Sequence, residues 1–148
     1  MKALDLGDIG QFPFMDKPDG RQIRSGLKTL EELGALNEQV SLSAIGNDLA
    51  RLPVDPRLGR MLLAALRANC LNDMLIIVSA LAVQDPRESP AEKRQAADQM
   101  HRRFWHKRSD FLSWINLWRY YEEQRESLSQ NQLSKLCKKD FLSYPHKR

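Results

Sequence analysis

Residues 49–65 read LARLPVDPRLGRMLLAA, and this stretch decides how the chain divides. Pro53 disfavours helix for Leu52, so a helix arriving from the N-terminal side must stop there. Asp55 can accept hydrogen bonds from the backbone N–H groups that a helix start leaves unpaired. Pro56 follows at a position where its missing N–H costs nothing and its fixed φ helps. Beyond the joint, Leu58, Met61, Leu62, Ala65 and Leu66 recur at three- and four-residue spacing, the stripe of an amphipathic helix. Two folding units therefore follow one another, residues 18–53 and residues 54–148.

In the first unit Asp19 and Gln22 have the spacing of a capping box. Ile23, Leu27, Leu30 and Leu33 follow on one helical face, and Gly34 is a natural stop. Gly26 inside this helix costs about 1 kcal/mol against Ala, less than the roughly 1.5–3 kcal/mol returned by each buried Leu. Ala35-Leu36 and Val40-Ser41-Leu42 flank Asn37-Glu38-Gln39, which predicts two short strands and a turn. Ser43 then caps a brief helix carrying Ile45 and Leu49. Helix, small hairpin and short helix outline a reduced winged-helix unit. Residues 1–17 show no period, yet Leu4, Leu6, Ile9, Phe12 and Phe14 make them too apolar for a free tail. The expectation is a segment covered by other parts of a longer protein.

The second unit reads as a bundle of five helices with short connections. The first ends near Asn69. The second, Asp73 to Val83, is apolar on nearly every side and should be central. Asp85-Pro86 breaks the chain again. Ser89, Pro90 and Glu92 predict a cap, a first-turn proline and a capping-box acid for a helix whose buried face holds Ala96, Met100 and Phe104. Ser109 opens a helix with Phe111, Ile115 and Trp118 on one side, widened by Leu112 and Trp114. Ser129 and Gln132 open the last, with Leu133, Leu136, Cys137 and Phe141. The fold class is mainly α: a small degenerate winged-helix unit followed by a helical bundle.

Hydrophobic residues make up 42% of the 148 and charged ones 28%, the balance of a water-soluble globular chain. The longest nearly apolar run, ten residues from Met74 to Val83, is half a membrane span. Cys70 and Cys137 form no C-x-x-C pair and read as buried or idle thiols of a reducing cytoplasm. The net charge of +4 is uneven: residues 1–53 sum to −2 and residues 54–148 to +6. An anionic partner would favour the second part.

No phosphate-loop or dinucleotide glycine motif occurs, nor any H-E-x-x-H. His101 and His106, five apart, are poorly spaced for a shared metal. The carboxylate pairs Glu31-Glu32 and Glu122-Glu123 read as solvated surface, and the serines as caps. The chain is not expected to be an enzyme on its own. What remains is Arg87–Arg108, where Arg87, Lys93, Arg94, Arg102, Arg103, Lys107 and Arg108 face three acids, with His101, Phe104, Trp105 and His106 interleaved. Cations beside aromatics suit a phosphate backbone and its bases. A solvated helix face reads equally well from these residues, with Phe104 in the core and Trp105 packed.

The joint and its neighbours resemble the region that follows the motor of DEAH-box RNA helicases. The matching stretches are FPFMDKPD (12–19), LEELGAL (30–36), LPVDPRLGRML (52–62), CLNDMLIIVSAL (70–81), QDPRESPAEKRQAADQMHRRF (84–104) and SDFLSWINLW (109–118). QAAD…HRRF and LSQNQLSKLC are most similar to the bacterial HrpA-type branch. The resemblance implies that residues 1–17 are the exit from a second RecA-like motor domain, 18–53 a winged-helix domain and 54–148 a ratchet-like bundle. It implies a longer, cytoplasmic parent in which ATP and Mg²⁺ serve motor domains absent here, driving 3′-to-5′ movement on single-stranded RNA. The motor domains and an OB-fold would be intramolecular partners, with no membrane contact.

Carried over residue by residue, Arg102 and Arg103 of HRRF become the first candidates for an RNA-facing side, with Lys107, Arg108 and Arg94 behind them. Pro53, Asp55, Pro56, Asp85 and Pro86 become structural joints that set helix angles. Asn116, polar within an apolar helix, should either find a partner in the core or face a channel, with the partnered position the favoured reading. The other reading is a docking module for helicase domains or a regulatory protein. A free-standing winged-helix DNA binder would need a basic recognition helix, and residues 43–51 offer only Arg51 against Asp48.

Overall fold

Side-chain caps place most helix starts. The computed structural model describes residues 2–4 and 7–144; Met1, Asp5 and Leu6 of the expected lead-in segment lie outside them. Asp19 Oδ1 accepts from the N–H groups of Arg21 and Gln22 at 2.7 Å, and Gln22 Oε1 accepts from the Asp19 N–H at 3.0 Å. This capping box opens α1 (Gly20–Glu32). Gly34 follows with φ +71°, the left-handed turn that favours glycine. The Ser43 hydroxyl accepts from Gly46 N–H and opens α2 (Ala44–Ala50). Asp55 accepts from Arg57 N–H at 2.9 Å and, with Pro56 in the first turn, opens α3 (Pro56–Arg67).

The first compact unit spans Met1–Asn69. Its predicted hairpin is reduced to a single antiparallel bridge between Leu36 and Leu42. The arms are too short for a ladder, and the Asn37 side chain takes a strand partner's place by accepting from Ser41 N–H at 2.8 Å. The core is Ala35, Leu36, Leu49 and Ala65, with the α1 leucines half-buried. Of the stripe beyond the joint, Leu66 points to solvent. Contacts group α3 with this unit, although the domain limit read from the sequence falls after Pro53. Gly59 of α3 lies so close to α2 and its exit that a Cβ there would meet Leu49 Cδ2 at 2.8 Å. Arg60 Nε also donates to the Leu33 carbonyl at the end of α1.

The second unit, Cys70–Arg148, holds α4 (Leu71–Ala82), α5 (Arg94–His101), α6 (Asp110–Ser127) and α7 (Gln130–Lys139). Its core is Phe104, Leu117, Leu133, Cys137 and Leu142. Three expectations are corrected here. α4 is not central: it packs on α6 and buries only Ile77 and Val78, leaving Leu75, Leu81 and Val83 exposed. Ser89 does not cap α5. Pro90 stays extended at ψ 136°, a 3-10 turn takes Ala91–Lys93, and α5 starts at Arg94 without a side-chain cap. One residue of helix is about 100° of rotation, so fully buried Ala97 replaces Ala96, and its stripe continues through His101 and Phe104.

On α6 the buried line is Ser113, Ile115 and Leu117, while Phe111, Leu112 and Trp118 are exposed. α7 keeps its Ser129–Gln132 capping box but ends before Phe141, whose φ of +54° reverses the chain and turns Leu142 into the core. No helix among the described residues is long and apolar enough to cross a membrane.

Gly46 and Gly26 separate close packing from intrinsic helix preference. A Cβ on Gly46 would lie 2.1 Å from the Ala35 carbonyl oxygen, whereas one on Gly26 meets nothing within 4 Å. Gly46→Ala should lower stability by about 1–3 kcal/mol and Gly26→Ala should raise it by about 1 kcal/mol, read as opposite shifts of the urea midpoint.

Candidate nucleic-acid interface

The basic stretch sits at the corner between α5 and α6, where a 3-10 turn, Arg102–Phe104, sends consecutive side chains in different directions. Phe104 enters the core. Arg103 turns to Asp140, with guanidinium Nη2 2.5 Å from Oδ2. It lies over the rings of Phe104 and Tyr120 at 4.6 and 4.4 Å. The Tyr120 hydroxyl donates to the same Asp140 oxygen at 2.7 Å. Burial and this bond to a carboxylate both hold the Tyr120 phenol above its ordinary pKa. His101 Nε2 is 3.1 Å from the carbonyl oxygens of both Asp140 and Phe141, so this ring nitrogen carries the proton and donates. Arg103 is thus a fastener between the corner and the end of α7.

Arg94, Arg102, Lys107 and Arg108 lie on the surface, and none forms an ion pair among the described residues. Arg94 and Arg102 line one shallow depression with Glu92, Gln95, Asp98 and Gln99. Lys107 and Arg108 occupy the turn into α6. The backbone holds that turn, with His106 N–H donating to Ser113 Oγ at 2.9 Å and Arg108 N–H to His106 Nδ1 at 3.3 Å. Trp105 is not packed: it is 65% exposed between these cations. Its bulk argues for burial, but the core side of the corner is taken by Ala97, His101 and Phe104. Asn116 donates to the Phe104 carbonyl at 3.2 Å from a position that remains exposed.

The second joint is stitched to the exit of α7. Asp85 accepts from the Arg87 N–H at 2.9 Å and from the Arg87 guanidinium at 2.7–3.1 Å. Arg87 also lies 4.5 Å over the Trp114 ring. Partial burial pushes the Asp85 carboxyl up, but the Arg87 hydrogen bonds and charge outweigh it and leave Asp85 below its ordinary value. Glu88 N–H donates to the Phe141 carbonyl at 2.8 Å, and Ser143 N–H to the Pro86 carbonyl at 2.7 Å. Of the seven cations in the basic stretch, Arg87 and Arg103 are therefore committed to internal contacts.

Two family models match the chain. A winged-helix model of the helicase-associated domain (HA2) covers residues 26–54, and a ratchet-like HA2 model covers residues 55–114. They meet inside the first compact unit. A Haemophilus influenzae protein named "ATP-dependent RNA helicase HrpA homolog" is 54% identical over 97% of this chain and 12% of its own length. The Escherichia coli "ATP-dependent RNA helicase HrpA" is 52% identical over the same shares. An Arabidopsis thaliana "Pre-mRNA-splicing factor ATP-dependent RNA helicase DEAH10" is 34% identical over 94% of this chain and 20% of its own. The chain thus spans about an eighth of the length of its bacterial relatives.

The Arg103–Asp140 pair is testable as a stability element. Arg103→Ala leaves the buried carboxylate with fewer donors and should cost about 2 kcal/mol in urea unfolding. Arg103→Lys should recover only part, since an ammonium neither stacks on both rings nor presents a fork. Because the folded pKa of Asp85 is depressed, its contribution exists above the unfolded value and is lost as pH falls through the folded one. Asp85→Asn should therefore flatten the acid limb of stability below about pH 4, measured as melting temperature against pH.

Proposed function

We propose that this chain, which belongs to the helicase-associated (HA2) family and is 52–54% identical over 97% of its length to HrpA-type RNA helicases, uses its α5–α6 corner as a wall that holds single-stranded RNA. The observation that carries the reading is the surface set Arg94, Arg102, Lys107 and Arg108, cations without carboxylate partners among the described residues. A phosphate backbone gains most from such cations, since binding releases condensed counterions. The mechanism is passive: fixed cations hold the strand while other domains of the longer protein do the work.

ATP and Mg²⁺ chemistry belongs, in this reading, to those other domains. The sequence holds no glycine-rich phosphate loop. The partners are then single-stranded RNA and the motor and OB-fold domains of the same protein, in the cytoplasm. A docking role for helicase domains or a regulatory protein draws on a different feature. An apolar cleft of about 300 Å³ in the second unit is lined by Ile76, Val83, Trp114, Trp118 and Tyr121.

Salt dependence separates the two roles. Binding of this chain to a labelled single-stranded RNA should weaken with salt at a log–log slope near roughly −3, from about −0.7 for each of four contacts. Changing Arg94, Arg102, Lys107 and Arg108 together to Glu should abolish that slope without changing the thermal melt. Arg103 stays intact in this variant because it anchors Asp140. Equal binding by both proteins, or none by either, overturns the RNA wall and leaves apolar docking.

A further inference from the structure

We propose that Trp105 is a base-stacking residue of this surface, an assignment that rests on the RNA-wall reading and gives it a contact to the bases. In a 3-10 turn the side chains at i and i+3 eclipse one another. The Trp105 N–H donates to the Arg102 carbonyl at 3.1 Å, so these two residues close such a turn. The intervening Arg103 and Phe104 are committed to Asp140 and to the core. The turn thereby sorts four consecutive residues: Phe104 enters the core, Arg103 stays at the surface but is tied to Asp140, and Arg102 and Trp105, one cation and one large aromatic ring, are left exposed without such a tie.

The presentation is rigid. Behind Trp105 the backbone is held by His106 N–H on Ser113 Oγ, and Ser113 is itself buried and bonded to the Ser109 carbonyl at 3.4 Å. In front of it Phe104 is locked against Tyr120, ring centroids 5.2 Å apart. The backbone that carries Trp105 is fixed at both flanks and does not have to be ordered when a ligand arrives, which removes part of the binding cost. Arg102 on one side and Lys107 with Arg108 on the other supply the phosphate contacts. Every base has a π-face, so the ring adds affinity without demanding a sequence.

The test uses this chain with a fluorescent oligouridylate and an abasic ribose-phosphate strand of equal length, each across a salt series. Trp105→Ala should weaken binding to the oligouridylate by about ten- to a hundredfold, in line with the stacking contribution of a single base, with the salt slope unchanged. Trp105→Phe should keep most of the affinity. Neither variant should alter binding to the abasic strand, and the melt should stay at the wild-type value because the indole is exposed. RNA quenching of tryptophan emission should disappear in Trp105→Ala although Trp114 and Trp118 remain. If the oligouridylate binds with the expected slope and Trp105→Ala binds equally well, the stacking assignment is overturned and the cationic wall stands. If neither strand binds the wild type, both are overturned.

Discussion

The second unit depends on one buried carboxylate. Asp140 is 2% exposed, and a charge in that position must be compensated by donors or it opposes folding. Here the donors come from separate elements: the Tyr120 hydroxyl from α6 and the Arg103 guanidinium from the 3-10 turn after α5. Its backbone takes part as well. The Asp140 N–H caps α7 through the Leu136 carbonyl, and its own carbonyl accepts from His101 at the end of α5. Three helices are therefore referenced to one residue. The left-handed Phe141 that follows lets Leu142 enter the core and lets Ser143 pair with the Pro86 carbonyl.

This constraint divides the basic stretch into two chemistries. Arg87 and Arg103, each bonded to a carboxylate and laid over aromatic rings, use the planar guanidinium as cement. Lys93, Arg94, Arg102, Lys107 and Arg108 keep their charge in solvent. The surface available to a polyanion is smaller than the composition suggests, but its geometry is better defined, because the internal pairs hold the corner that displays it. An exposed tryptophan on such a corner is a different object from one on a mobile tail.

How legible each part was follows from the range of the forces that make it. The capping boxes at Asp19 and Ser129, the Asp55-Pro56 start and the Gly34 stop need only residues within one turn, and all are found as read. The hairpin around Asn37 failed because its alternation spans only two or three residues per arm, too few to compete with an Asx-type bond from the same residue. The buried face of α5 lies one residue from the predicted one, at Ala97 instead of Ala96, although Phe104 belongs to both. Ser89-Pro90-Ala91-Glu92 satisfies every local rule for a helix start, yet an intervening 3-10 turn delays the helix to Arg94. The apolar faces of α4 and α6 were legible as apolar, but not as half-covered.

By itself the sequence determined the helical class, the break at Pro53–Pro56, the family and the location of the excess positive charge. These rest on local sterics, periodicity and wording along the chain. Only the tertiary structure decided which arginine of the adjacent pair Arg102-Arg103 is tied to a carboxylate and that Trp105 stays outside. The physical reason is distance along the chain. The partner that claims Arg103 is Asp140, and the core that takes Phe104 instead of its neighbour Trp105 runs on to Tyr120 and Leu142. No window of neighbouring residues contains those contacts.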